Sequence, residues 1–563
     1  MRNPTLVDRI ADEYTRTLAA LSPLSATAMG IAGHDHLVGD FSPTGHAARA
    51  EACRATLDAL DAAPPADDAD VVTVAAMRDR LGLELELHAA GEYRADLNVI
   101  ASPPQNFRDT LDLMPTASTD DWVTIAGRVG RIPAAMAGYL ESLREGLATG
   151  LIPALLQADE VAKQADRLAD PASSFFVSFC SGARPEGRPA SGALASDLEA
   201  AGRAAAASYG ELARFLREEV APVAPEPDAV GRERYERFSR LFVSAAIDLD
   251  ETYEWGLAEL ARVVAEQDAV VARIAGPGKT VADAARVLDA DASRVLHGTD
   301  ALREWMQGVS DAAIRDLNGT HFDIAPALQR LECLIAPSQT GGIYYTQPTD
   351  DFSRPGRMWW SVPEGVTEFS TWNERTTVYH EGVPGHHLQI AQAVANRDEL
   401  NMWRRLVCWT SGHGEGWALY AERLMDEFGY LADDGDRLGM LDAQRLRATR
   451  VVVDLGVHLG KPAPRHYGGG VWDATKAWGF LCDNVTMERK MLRFELNRYL
   501  GWPGQAPSYK VGQRIWEELR ADAAASARAR GESFSLRDFH SRALALGSLP
   551  LDVLRAHLGA YGR

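Results

Sequence analysis

The chain has 563 residues, well beyond the roughly 250 to 300 at which single hydrophobic cores stop growing, and its 46% hydrophobic and 24% charged residues are the usage of a folded soluble protein. Acidic residues outnumber basic ones 79 to 58, for a formal charge of −21, and no concentrated Lys/Arg tract offsets them, which argues against nucleic acid and anionic membrane surfaces as partners. Five scattered cysteines without a CxxC pair exclude a disulfide framework, and a charged N-terminal stretch with no apolar centre reads as neither signal peptide nor membrane span, so the expected location is cytoplasmic.

Apolar residues recur at three- and four-residue steps from Leu6 to Leu21 and stop at Ser22-Pro23, which predicts an amphipathic helix. The same periodicity predicts helices over 48–60, 71–89, 122–147, 194–220, 232–272 and 281–288, separated by Pro-, Gly- and Asp-rich breaks. The Pro-rich segment 221–228 is either the boundary between an N-terminal helical lobe, 1–228, and a catalytic region, 229–563, or a loop on one continuous helical body. From Gly341 the texture changes. Two short aromatic-rich runs, Ile343 to Thr346 and Arg357 to Val362, predict a β-hairpin or small sheet, serving either as an edge strand for an extended substrate or as a cover for the core through Trp359 and Trp360. The expected fold class is therefore mainly α, a large multi-helix protein with a small sheet beside a cleft.

The richest stretch follows at once: YHEGVPGHHLQ, Tyr379 to Gln389, which holds three of the chain's 14 histidines. His380 can hold a metal while Glu381 works on the attacking water. In HExxH the second histidine stands four residues on, one helical turn away. Here His386 and His387 stand six and seven residues on, and Pro384 disfavours a regular helix. A local bulge that absorbs about two residues brings His386 back beside His380; His387, about two turns up an unbulged helix, is roughly 10 Å off. A third ligand comes from SGHGEGWALYAERL, where Glu415 follows a Gly-rich lead-in and Glu422, seven residues on, shares its face and can orient a ligand imidazole. Both glutamates have the alternative of being solvated helix residues. His413 is a rim or substrate contact.

Arg450, Asp454 and His458 recur at intervals of four. The first two read as a structural i,i+4 pair, and His458 as an oxyanion donor or a satisfied core histidine. Farther on, Arg498, Tyr499, Tyr509 and Lys510 flank a Pro-Gly turn between two helices, where a tyrosine could stabilise an oxyanion and a cation could hold a carboxylate.

In order, HEGVPGHHLQ, GEGWALYAE, RVVVDLGVH and ELNRYLGWPGQAPSYKVG resemble the bacterial family called domain of unknown function 885. The resemblance implies a mostly helical protein with a glutamate-zincin arrangement, in which two histidines and a later glutamate bind zinc. GEGWA is similar to the NEGFA-type segment of zinc aminopeptidases, which supports Glu415 as the third ligand. Gly385-His386 is similar to the Gly-His that closes many HExxH helices, whereas His387-Leu388-Gln389 is similar to a pattern that favours His387. KPAPRHYGGGVW, after His458, is richer in Gly and Pro than the helical stretch expected there.

The expectation is a zinc-dependent metallohydrolase, a peptidase acting on short peptides. His380, His386 and Glu415 hold Zn2+, and Glu381 is the base. His458 and Tyr509 are candidate oxyanion donors, His387 and Glu422 flank the ligands, and Arg450, Arg498 and Lys510 are candidate carboxylate anchors. A zinc amidohydrolase of another small amide, and a non-catalytic helical binding protein, are the alternatives.

Overall fold

Helical periodicity in the sequence becomes helix at nearly every place it occurs. The computed structural model describes residues 2–336 and 342–560; Gly341, where the aromatic-rich segment was read to begin, lies outside them. Leu6–Leu21 is helical over the whole stretch, its start closed by a capping box between Thr5 and Asp8. Two long runs are interrupted. The stretch 122–147 divides into Thr119–Val129 and Ile132–Thr149, with Pro133 in the first turn of the second, where its missing amide hydrogen does no harm. The stretch 232–272 divides into Arg232–Val243 and Leu249–Ala275, because Ser244 turns left-handed and Asp248 caps the next start through its side chain.

The fold is mainly α with small sheets, the longest being three-stranded. Ile343–Thr346 pairs antiparallel with Gly356–Trp360, as the hairpin reading expects. The sequence reading missed the third strand, Leu331–Ile335, which lies parallel on the other side of Gly356–Trp360. Ile343–Thr346 is thus an edge strand among the described residues. A second, two-stranded sheet joins Val295–His297 to Glu368–Ser370, immediately before the helix that carries His380.

Buried apolar residues form two clusters. One draws on residues between Leu24 and Val220; the other draws on residues between Val7 and Leu81 and on those from Tyr235 to Leu554. The first helices therefore pack with the C-terminal body, so the cores do not separate at one point near residue 228, although the lobe core does end just before the 221–228 segment. A cleft of about 1870 Å³ runs between the two cores, with Glu415 and Tyr509 on the C-terminal side and residues such as Asp96 and Arg108 on the other. Among the described residues no helix is long and apolar enough to cross a membrane.

Candidate metal centre

Four helices converge at the end of this cleft: Thr371–Glu381, His386–Ala395, Ser411–Glu427 and Asp434–His458. The chain does not bulge within one helix, as the spacing had suggested. The first helix ends at Glu381, and residues 382–385, with a cis Val383-Pro384 bond, fold back over its last turn before the second begins at His386. The fold-back is held by Gly385 N–H donating to the Tyr379 carbonyl (3.1 Å) and Trp417 Nε1–H donating to the Pro384 carbonyl (2.8 Å). Glycine is required at 385, because a methyl group there would overlap the His380 carbonyl.

That turn sets the His380 and His386 rings edge to face, 4.8 Å between centroids. Glu415 Oε2 lies 3.3 Å from His380 Nε2 and 3.4 Å from His386 Nε2. These separations are long for charge-assisted hydrogen bonds, which run at about 2.7–2.9 Å. They match ligands of one tetrahedral zinc ion, since donors held ~2.0–2.1 Å from a common centre stand roughly 3.3–3.4 Å apart. Ligand-capable atoms of His380, Glu381 and His386 also lie within 4.8 Å of one another, all three residues buried. Two imidazoles and a carboxylate are the donor set of many catalytic zinc sites.

Behind the ligands stands a second layer. His380 Nδ1–H donates to Glu422 Oε1 (2.8 Å), and Thr376 Oγ1–H donates to Glu422 Oε2 (2.8 Å), so the imidazole tautomer leaves Nε2 as the lone-pair donor. Glu422 is only 1% exposed, which removes the alternative of a solvated helix residue. Burial disfavours charge on His380, yet Glu415 and Glu422 outweigh it and raise its pKa to about 10. Burial likewise opposes ionisation of Glu415, but His386 and His380 hold it well below the usual carboxylate range. A pocket that binds a proton this firmly presents the same negative field to a dication. Glu381 differs: burial raises its pKa, opposed by His386 and His380, and its Oε2 meets no donor among the described residues. An isosteric Glu422→Gln change is expected to lower zinc affinity about 10- to 100-fold, the usual cost of losing such a partner, as read by competition with a chelating dye.

The remaining expected residues divide sharply. Tyr509 lines the cleft with Glu415, and burial and Glu415 raise its hydroxyl pKa while Arg498 and Arg450 oppose the rise. His387 faces away from the ligands. Its Nε2–H donates to the Leu328 carbonyl (2.8 Å) and its Nδ1 accepts from the Tyr345 hydroxyl (3.0 Å), so both nitrogens are committed to the sheet side. His458 is a core histidine. Burial lowers its pKa to about 4, Nε2–H donates to the Tyr499 carbonyl (3.0 Å) and Tyr235 stacks on the ring. It lies at the far end of its helix, eleven residues or roughly 16 Å from Arg447, and its bonds are made within the core. Arg450 pairs with Glu495 (2.8 Å) instead of Asp454, whose Oδ1 accepts from the Tyr235 hydroxyl (2.6 Å) and Gly504 N–H (3.0 Å). Lys510 points to Glu259 (2.8 Å) in a separate recess of about 300 Å³, and His413 is buried against the Leu549 carbonyl (3.0 Å), so neither is an anchor or rim contact at the cleft. Thr376 and Arg447 escaped the sequence reading. Thr376 stood four residues before His380, on the same helical face, which was the available signal.

The family model for bacterial proteins of unknown function, DUF885, matches residues 23–558. The chain belongs to this family. A second comparison places this DUF885 chain beside two solved structures. It matches a "putative lipoprotein" of Colwellia psychrerythraea with a TM-score of 0.83 at 20% identity, covering 99% of this chain and 98% of that one. It also matches a protein of the same description and unknown function from Shewanella oneidensis, with a TM-score of 0.72 at 17% identity, covering 98% of this chain and 99% of that one. At these identities the likeness establishes a shared fold for the DUF885 chain. No curated protein matches it in sequence.

Proposed function

We propose that this DUF885 protein is a zinc-dependent hydrolase of short peptides. The observation that carries the reading is Glu415 Oε2 standing 3.3 Å from His380 Nε2 and 3.4 Å from His386 Nε2, the spacing of tetrahedral ligands, with the Glu381 carboxylate beside the two imidazoles. Zinc bound by those three side chains would supply Lewis acidity and make water nucleophilic near neutral pH.

The protein's own groups do the rest. Glu381 accepts a proton from the attacking water at its carboxylate and returns it to the leaving nitrogen; its burial makes it a stronger base than a solvated glutamate. Glu422 keeps His380 in the tautomer that presents Nε2. Tyr509, beside Glu415 on the cleft wall, is the hydroxyl available to an oxyanion. Peptide backbone suits the cleft because Ile343 and Tyr344 of the edge strand line it, and an extended chain can add to such an edge.

Natively purified protein is expected to contain about one zinc per chain by elemental analysis, and to cleave a peptide library in a manner abolished by chelation and restored by zinc. Metal-free native protein that fails to take up zinc would remove the basis of the reading.

A further inference from the structure

The cleft wall next to Tyr509 carries an unbalanced buried charge. Glu495 is shared by two guanidinium groups: Arg450 Nη2–H donates to Oε2 (2.8 Å) and Arg498 Nη1–H to Oε1 (3.2 Å). The other groups facing Arg498 are neutral: Gln505 Oε1 accepts from Nη2–H at 2.7 Å, and the Tyr509 hydroxyl and the Trp502 ring (5.8 Å to its centroid) lie beside the guanidinium. Two cations and one anion leave one positive charge over. The nearby Asp454 compensates it poorly, since burial raises its pKa to about 7 and its Oδ1 is already bonded to Tyr235 and Gly504.

A buried charge without a counter-ion is costly, so such a position marks where an anion from outside would be bound. Arg498 is 9% exposed and its Nε meets no acceptor among the described residues. The two arginines are not equivalent, because Arg498 and Gln505 line the cleft whereas Arg450 lies behind them with its Nε spent on the Tyr499 hydroxyl (2.8 Å). The site reaches the metal centre through one side chain, Tyr509, whose hydroxyl senses both Glu415 and Arg498. Large, partly exposed apolar groups line the same cleft: Phe494, 36% exposed and four residues before Arg498 on its helix, and Trp409, 42% exposed.

We propose that Arg498, with Gln505 beside it, seats the free C-terminal carboxylate of a peptide, the terminal side chain lying against Phe494 and Trp409. This deepens the peptidase reading and rests on it: cleavage then falls near the C-terminus, and a bidentate guanidinium contact replaces the missing counter-ion. The carboxylate end of the substrate, not its length, sets the register of cleavage.

The test compares N-acetyl-Ala-Phe with its C-terminal amide, which differ only in that charge. Calorimetric titration of the zinc-loaded protein is expected to show the acid binding at least tenfold more tightly. In Arg498→Gln the ratio is expected to fall below about threefold, and in Arg498→Lys to lie between, with thermal unfolding confirming that each variant is folded. Equal affinities for acid and amide in the unaltered protein would overturn the proposal whether or not any variant folds, as would an acid preference that survives in folded Arg498→Gln. Elemental analysis and turnover of longer peptides are measured on the same samples. A protein that prefers the acid but holds no zinc and cleaves nothing retains the carboxylate seat and loses the peptidase reading; one that cleaves acids and amides with equal kcat/KM retains the peptidase and loses the seat.

Discussion

Replacing Glu381 with Gln is expected to lower kcat by about 10²- to 10⁴-fold, the range a positioned general base contributes, while leaving zinc content unchanged. The change is isosteric and alters one property, because an amide oxygen cannot carry the proton that the carboxylate takes. Glu381 Oε2 has no donor among the described residues, so no structural bond to them is broken. Removing a buried charge between His380, His386 and Glu415 also relieves repulsion with Glu415, and the variant should be no less stable to heat than its parent. Turnover of a fluorogenic peptide, measured with metal content on the same preparation, reads the effect. Wild-type turnover with full metal occupancy would show that another group moves the proton.

The second large effect separates adjacent histidines. His386→Ala is expected to abolish zinc binding at micromolar metal and all detectable turnover, since it deletes one of three ligand atoms and leaves Glu415 facing only His380. His387→Ala is expected to keep the metal and lose stability instead. It strips the Leu328 carbonyl and the Tyr345 hydroxyl of a buried partner, each worth about 1–3 kcal/mol. Zinc titration and thermal unfolding of both variants give the pattern. If His387→Ala loses the metal and His386→Ala keeps it, the ligand assignment is wrong.

The difference between these two residues shows what a sequence can express. Residue types and order were enough to single out His380, Glu381, His386 and Glu415 as one cluster, and the structure brings them together, although from three helices and not from one helical face. The direction of His387 was not legible, since it depends on Tyr345, on the strand Ile343–Thr346, and on the Leu328 carbonyl, which lie 42 and 59 residues away in the chain. His458 illustrates the same limit. Its interval of four from Asp454 gave the correct helical face, but not how far along that face Glu381 and its neighbours lie. Arg450 likewise sat at pairing distance from Asp454 by spacing alone, and it was the approach of another helix, bearing Glu495, that redirected it. Helices were legible nearly throughout because their period is local. The two cores were less so, as the earliest helices join the later one through contacts that no local pattern records.

One contact bears on how the protein admits substrate. Gly416 on the Glu415 helix and Gly512 on the Tyr509 helix meet so closely that a methyl group on either would overlap the other's backbone or that of Gly412. With no side chain between them, these helices have nothing to slide on. Glu415, the proposed ligand, and the Tyr509 hydroxyl near it therefore form a single rigid jaw, and Gln505, on the Tyr509 helix, travels with them. Any gape of the cleft must come from the opposing, N-terminal jaw, so breathing can change which substrates enter without detuning the distance between the ligand and the group that would steady the reaction.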